Sequence, residues 1–173
     1  MGDRAAWSRV AVLVAATTLF PLGLRGGDLE PSAPFLHGGG LPAEVGKSVA
    51  AARARLREAA CHAVFDAFTD ADGRRLSERL SALNTNGSDY LSTIYFASGR
   101  NLSACQKATT AAFTEPGSRV VYLCDARFVA LQHTDAARAI HLVIHEALHT
   151  LGLREKPPSS EEITAVVARS CGR

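Results

Sequence analysis

The chain has 173 residues, of which 47% are hydrophobic, and this is enough for one ordinary domain with appendages. Its formal net charge is +2. Residues 1–27 hold three basic residues and one acidic residue, which leaves 16 of the 19 basic and 16 of the 17 acidic residues elsewhere. The charges of the remaining chain balance, so composition gives no reason to expect nucleic acid or an anionic membrane surface as a partner.

The N-terminus resembles an export signal. Residues 1–25 begin with a basic flank, and the apolar run 10–24 follows it. This pattern is typical of a secretory signal peptide, and the run is short for a membrane-spanning helix. An uncleaved N-terminal anchor is the alternative, because no small-x-small cleavage site follows Leu24. We therefore expect a secreted or periplasmic protein, or one attached to a membrane only through this segment.

A linker and a helical region come next. Residues 26–43 are rich in proline and glycine, which predicts a linker, and the folded domain is predicted over 44–173. Apolar residues at three- and four-residue steps predict a helix over 44–68. A turn separates it from a shorter helix predicted over 74–83.

The second half of the chain mixes strands with helices. β-Branched and aromatic residues predict strands over 90–97 and 119–124, with a short extended piece at 111–114. The last helix is predicted over 159–173. Helices combined with a few short strands indicate the α+β class.

Four cysteines are spread over the chain: Cys61, Cys105, Cys124 and Cys171. None belongs to a Cys-x-x-Cys pair, and in an exported chain an even number of dispersed cysteines predicts two disulfides rather than a zinc ribbon. Three pairings are open. We favour Cys105 with Cys124, which closes the turn between two strands, and Cys61 with Cys171, which connects the first helix to the last.

A buried helix is predicted over 136–151. The segment has no proline and no interior glycine, Thr134 or Asp135 can cap its start, and Gly152 follows its end. Its apolar residues lie on nearly every side. A helix of this kind is expected inside the core.

This helix contains the sequence His-Glu-x-x-His at His145, Glu146 and His149. Histidines four residues apart share one face, so both imidazoles can bind one metal ion, and Glu146 can act beside it as a general base. The alternative is a pair of core histidines bonded to backbone carbonyls, with Glu146 paired to an arginine. His141 is about 12 Å along the helix axis from His149, so we expect it in the core or behind the ligands.

The run from His145 to Glu155, His-Glu-Ala-Leu-His-Thr-Leu-Gly-Leu-Arg-Glu, resembles the metzincin form of the zincin metallopeptidases, His-Glu-x-x-His-x-x-Gly-x-x-His/Asp. Glu155 stands at the third-ligand position. The chain departs from that form because its one methionine is Met1, so it has no methionine turn. The gluzincin branch uses a glutamate from a later helix, which nominates Glu161 or Glu162.

Glu162 has a competing explanation, because Ser159 stands three residues before it, as in a capping box. We therefore rank Glu155 first and Glu162 second as third ligand. The segment 149–164 is also similar to the end of small secreted bacterial metallopeptidases.

This resemblance implies a small zincin-like domain with a short mixed sheet packed on the buried active-site helix. It implies a monomeric, secreted, zinc-dependent peptidase with a peptide or protein substrate. By the same resemblance, residues 119–124 form an edge strand that binds substrate by strand addition. The alternative is an ordinary core strand. Tyr122 is a candidate to stabilise the oxyanion. Two other functions stay open, a non-catalytic metal-stabilised extracellular binding or structural domain and a helical protein without metal.

Overall fold

The computed structural model describes residues 41–172, and within them the predicted α+β class is confirmed. The helices are α1 (Ala43–Leu56), α2 (Ala59–His62), α3 (Leu76–Ala82), α4 (Gly87–Leu91), α5 (Asp125–Thr134), α6 (Ala136–Thr150) and α7 (Ser160–Cys171), with 3-10 turns at Ala63–Asp66 and Ser103–Gln106. The strands are β1 (Tyr95–Ser98), β2 (Ala112–Thr114) and β3 (Val120–Leu123). The predicted signal peptide or anchor, and all but the last three residues of the predicted linker, lie outside the described residues.

No helix within residues 41–172 is both long and apolar enough to cross a membrane.

The three strands form one mixed sheet in the order β1-β3-β2. β3 pairs in parallel with β1 and antiparallel with β2. The prediction that residues 119–124 form an edge strand is therefore wrong, because β3 has a neighbour on each side. Local sequence does not show the parallel pairing that places β3 in the centre, and within residues 41–172 β1 and β2 are the two outer strands, each with one free edge.

Helix α6 is the element that the other layers surround. It packs against α1, α5 and α7 and against β2. Ile144 and Leu148 are fully buried on it, and burial stabilises each such side chain by about 2 kcal/mol. Asp135 caps its start by accepting a hydrogen bond from the Arg138 N–H at 2.9 Å. The predicted buried helix and one of its two predicted caps are confirmed.

A Schellman motif ends α6. The N–H of Gly152 donates to the His149 carbonyl at 2.9 Å, and the N–H of Leu153 donates to the Leu148 carbonyl at 3.3 Å. Gly152 has φ +106°, a backbone conformation that favours glycine, and a Cβ there would lie 3.2 Å from Cβ of Asp70. The predicted glycine turn is confirmed, and it sends the chain back towards the site.

Two other predicted elements are wrong in part. The helix expected over 44–68 ends at Leu56, because Glu58 takes an extended conformation before α2 begins. The strand expected over 90–97 begins only at Tyr95. Its first residues belong to α4, whose cap Asn86 accepts a hydrogen bond from the Asp89 N–H.

Both favoured cysteine pairs are confirmed. Cys61–Cys171 connects α2 to the end of α7, and Cys105–Cys124 connects the loop before β2 to the end of β3. The first bond joins residues 110 positions apart, and a loop of that length gives about 4 to 5 kcal/mol by the chain-entropy argument. The bond therefore holds the end of α7 against α2.

Candidate metal centre

Two histidines of α6 point at each other from adjacent turns. His145 and His149 are 4% and 6% exposed, and their Nε2 atoms are 3.0 Å apart. The Nδ1 atom of His149 is 2.8 Å from the Leu153 carbonyl, and that of His145 is 3.1 Å from Oγ1 of Thr164. Each ring is thus held from behind through Nδ1, and each Nε2 is left facing one shared point.

Glu155 completes a group of three donors. Its Oε1 lies 3.5 Å from Nε2 of His149 and 3.8 Å from Nε2 of His145. Donor atoms of a tetrahedral zinc site, each about 2.0 to 2.1 Å from the ion, are about 3.3 Å apart. These three residues, the ligand group, are thus spaced to hold one metal ion, and no fourth His, Cys, Asp or Glu in residues 41–172 joins them.

Glu146 lies beside the ligand group on the next position of α6. Its side chain is 5% exposed, and Oε2 has no hydrogen-bond partner among the described residues. Burial, followed by the negative charge of Glu155, raises the pKa of Glu146 to about 8. A buried carboxyl group in this state fits a nearby cation, which would supply the missing partner.

The electrostatics of His145 also suit a ligand. Burial, followed by the neighbouring His149, lowers the pKa of His145 to about 4. The imidazole is therefore neutral at physiological pH, and a neutral imidazole is the form that binds metal.

The expected alternative to a metal site applies only in part. The His149 ring does bond to a backbone carbonyl, that of Leu153, but only through one nitrogen. Within the part of the chain that the structure describes, no arginine forms an ion pair with Glu146. The pairing proposed for a purely structural role of Glu146 is therefore wrong.

The ligand group lies on the floor of an open cleft of about 1090 Å³. Helix α6 forms the floor, α7 one wall, and β2 with its preceding loop the other, while α5 borders the cleft beside that loop. Apart from the site residues, the lining is mainly small and apolar or uncharged; it includes Ala108, Thr109, Ala112, Thr114, Ala130, Leu131, Leu142, Thr164, Ala165 and Ala168. A chain of several residues can therefore reach the ligand group from solvent.

The free edge of β2 runs along this cleft. The Cys124 N–H donates to the Ala111 carbonyl at 3.0 Å, so these opposed residues form a hydrogen-bonded pair. Pairs alternate along an antiparallel ladder, and consequently the backbone N–H and C=O groups of Ala112 and Thr114 point away from β3. No other strand of residues 41–172 pairs with them, so they form a free strand edge in the same cleft as the ligand group.

Other candidate residues lie elsewhere. The Glu162 carboxylate accepts a hydrogen bond from the Ser159 N–H at 2.8 Å, and Oγ of Ser159 accepts one from the Glu162 N–H, so Glu162 belongs to a capping box. Glu161 lines the cleft outside the ligand group. Tyr122 stacks on Phe113 and is not among the residues that line the cleft, so the structure gives the expected oxyanion role no support.

Sequence reasoning missed the two groups that hold the imidazoles from behind, the Thr164 hydroxyl and the Leu153 carbonyl. The Leu153 contact could have been inferred from the glycine turn. A Schellman motif at Gly152 brings the next residue, Leu153, close to the last turn of the helix. Thr164 gives no such signal, since its contact with His145 joins two helices across 19 residues. It depends on how α7 packs against α6.

Comparisons of the chain with protein-family models, with curated proteins and with solved structures find no match.

Proposed function

We propose that this protein is an exported, zinc-dependent peptidase. The observation that supports this most is the convergence of three metal-binding atoms on the floor of an open cleft, next to the buried Glu146, whose Oε2 has no hydrogen-bond partner among the described residues. Structural zinc sites are closed by four protein ligands, whereas catalytic sites keep one position open. A three-residue ligand group in a cleft supports chemistry over a purely structural role.

Zinc is the metal that the ligand types and the compartment favour. Two imidazoles and one carboxylate can hold zinc or ferrous iron. The two disulfides fit an oxidising compartment, in agreement with the predicted export signal. Zinc has no redox chemistry and stays divalent there.

The residues of the site have separate tasks in peptide hydrolysis. Zinc, when bound, supplies Lewis acidity and lowers the pKa of a water ligand towards about 7. Glu146 accepts the proton of the attacking water and passes it to the departing amine. The Leu153 carbonyl and the Thr164 hydroxyl keep the two imidazoles in their orientation.

The edge of β2 offers a means of binding the substrate. An extended peptide can pair with the free N–H and C=O groups of Ala112 and Thr114 by strand addition. The ligand group lines the same cleft, so a peptide bound at this edge would lie in the cleft that holds the proposed metal. In this proposal β2, rather than residues 119–124, is the strand that pairs with the substrate.

The test compares the full-length wild type with Glu146→Gln. Zinc content is measured by plasma mass spectrometry, and hydrolysis is measured on casein and on a mixture of quenched fluorescent peptides. We expect the variant to keep its zinc and to lose about 10²- to 10⁴-fold in kcat, the usual contribution of a general base. Glu161→Gln is the matched control, since it removes a carboxylate of the same cleft outside the ligand group, and it should keep its activity.

Two results would contradict the proposal. Equal hydrolysis by the wild type and Glu146→Gln would remove Glu146 from the reaction. Stoichiometric zinc in a wild type that cleaves none of the peptides would favour the alternative, a non-catalytic domain that zinc stabilises.

A further inference from the structure

The hydroxyl of Thr164 differs in kind from the group that holds the other histidine. On one ring, Nδ1 of His149 faces the Leu153 carbonyl at 2.8 Å. On the other ring, Nδ1 of His145 faces Oγ1 of Thr164 at 3.1 Å. A carbonyl can only accept a hydrogen bond, whereas a hydroxyl can donate or accept.

The carbonyl fixes the proton of the first ring. Because the Leu153 oxygen can only accept, Nδ1 of His149 carries the hydrogen. In the neutral imidazole the other nitrogen then has a lone pair. Nε2 of His149 is thus an acceptor or a metal ligand, with or without metal.

This lone pair determines which nitrogen of the His145 ring carries the hydrogen when no metal is bound. Nε2 of His145 lies 3.0 Å from Nε2 of His149, and two bare nitrogens at that distance would repel each other. Without metal, Nε2 of His145 therefore carries the hydrogen and donates it to His149, which leaves Nδ1 of His145 as an acceptor. Among residues 41–172, the Thr164 hydroxyl is the donor found beside that Nδ1, at 3.1 Å.

Metal binding reverses these roles. A cation at the shared point needs the lone pairs of both Nε2 atoms, so the hydrogen of the neutral His145 ring must be on Nδ1. Nδ1 then donates to Oγ1 of Thr164, and the hydroxyl becomes the acceptor. The ring keeps the same number of hydrogens throughout, and only their position changes.

We propose that Thr164 is the positioning residue of His145, and that its hydroxyl allows this imidazole to change tautomer when metal binds. The inference depends on the metal centre of the proposed function but not on peptide hydrolysis. A carboxylate or carbonyl at this place would hold a single tautomer, as Leu153 does for His149. Thr164 instead satisfies Nδ1 of His145 in both states.

The first test measures zinc affinity by competition with a chromophoric chelator, using full-length protein and zinc alone as ligand. Thr164→Val removes the hydroxyl at nearly constant volume, and we expect about 10- to 100-fold weaker zinc binding, the usual effect of removing a group that orients a ligand. Thr164→Ser keeps the hydroxyl and should bind zinc as the wild type does. Thr109→Val, a cleft residue outside these contacts, is the matched control and should also be unchanged.

The second test reads the tautomers directly. Long-range ¹H–¹⁵N spectra of the histidine rings are recorded for the wild type at neutral pH, without zinc and with one equivalent. We expect His149 to carry its hydrogen on Nδ1 in both samples. We expect the hydrogen of His145 to be on Nε2 without zinc and on Nδ1 with zinc.

The possible failures are distinguishable. A wild type that binds no zinc overturns the metal centre and this inference with it. If the wild type and Thr164→Val bind zinc equally, or if His145 keeps one tautomer in both samples, only the role given to Thr164 is overturned. Circular dichroism melts of the metal-free variants check that their folds are intact. A Thr164→Ser variant that binds zinc as weakly as Thr164→Val would also contradict the role given to the hydroxyl.

Discussion

The helical and the loop part of the ligand group are built in different ways. On α6, the two imidazoles are almost fully buried, and each has a second contact through Nδ1. On the turn that follows, the Glu155 side chain is 42% exposed, and its Oε1 lies 3.5 Å from Nε2 of His149 and 3.8 Å from Nε2 of His145. The site thus combines a preorganised pair with a third ligand that water can reach. We expect the two parts to respond differently to substitution.

The largest effect should follow loss of a helical ligand. His149→Ala removes one of the two fixed donors and leaves the Leu153 carbonyl without its partner. We expect zinc affinity to fall by more than about 100-fold, beyond the loss seen for residues that only orient a ligand. Chelator competition measures the affinity, and peptide hydrolysis should disappear with the zinc.

Glu155→Ala is the contrasting variant. Water can replace an exposed carboxylate more easily than a buried imidazole, so we expect a smaller loss of zinc affinity than in His149→Ala. If Glu155→Ala loses more affinity than His149→Ala, the distinction between the fixed pair and the adjustable ligand is wrong.

The second effect concerns pH and the metal-free protein. Because burial raises the pKa of Glu146 to about 8 from an ordinary 4.5, the folded state favours its protonated form. The protonated carboxyl group therefore stabilises the folded state. This stabilisation is fully present below pH 4.5 and disappears as pH rises through about 8. The lowered pKa of His145 has the opposite effect on the pH dependence: the folded state loses stability as pH falls, but only below pH 6.5. Between pH 6.5 and 8 the loss due to Glu146 should be about 2 kcal/mol.

Urea unfolding of the metal-free wild type and Glu146→Gln at pH 6.5 and 8 measures this loss. The wild type should lose more stability than the variant, and bound zinc should reduce the difference because a cation favours the carboxylate. Parallel stability curves for the two metal-free proteins would show that Glu146 does not titrate in this range.

A third effect concerns the turn that carries Glu155. Gly152→Ala places a Cβ at φ +106° and 3.2 Å from Cβ of Asp70, and we expect it to lower the free energy of unfolding by roughly 1 to 3 kcal/mol. Zinc affinity should fall as well, since the turn determines where Glu155 lies. Gly73→Ala is the control, because Gly73 also has positive φ but has open space around it. An equal loss of zinc affinity in both variants would exclude this role of the Gly152 turn.

The smallest effect should come from Glu162. Glu162→Ala breaks the capping box with Ser159, and we expect a loss of about 0.5 to 1 kcal/mol in thermal or urea unfolding. Zinc content should stay that of the wild type. A variant that loses its zinc would place Glu162 among the ligands.

Features that depend on neighbouring residues can generally be predicted from this sequence, and features that depend on distant contacts generally cannot. Helix α6, its Asp135 cap and the spacing of His145 and His149 depend on neighbouring residues, and they were predicted. Helix α5 was not, because only Asp125 and Phe128 on it are buried and no apolar stripe indicates a helix. The central place of β3 could not be predicted either, since it results from pairing with a distant strand.

Zinc K-edge X-ray absorption on the purified full-length protein tests the central claim most directly. We predict one zinc ion per chain, bound by two imidazoles and by oxygen at about 2.0 to 2.2 Å, with no sulfur ligand. A protein that retains no zinc when it is supplied, or that holds zinc with fewer than two imidazoles or through sulfur, would contradict the account.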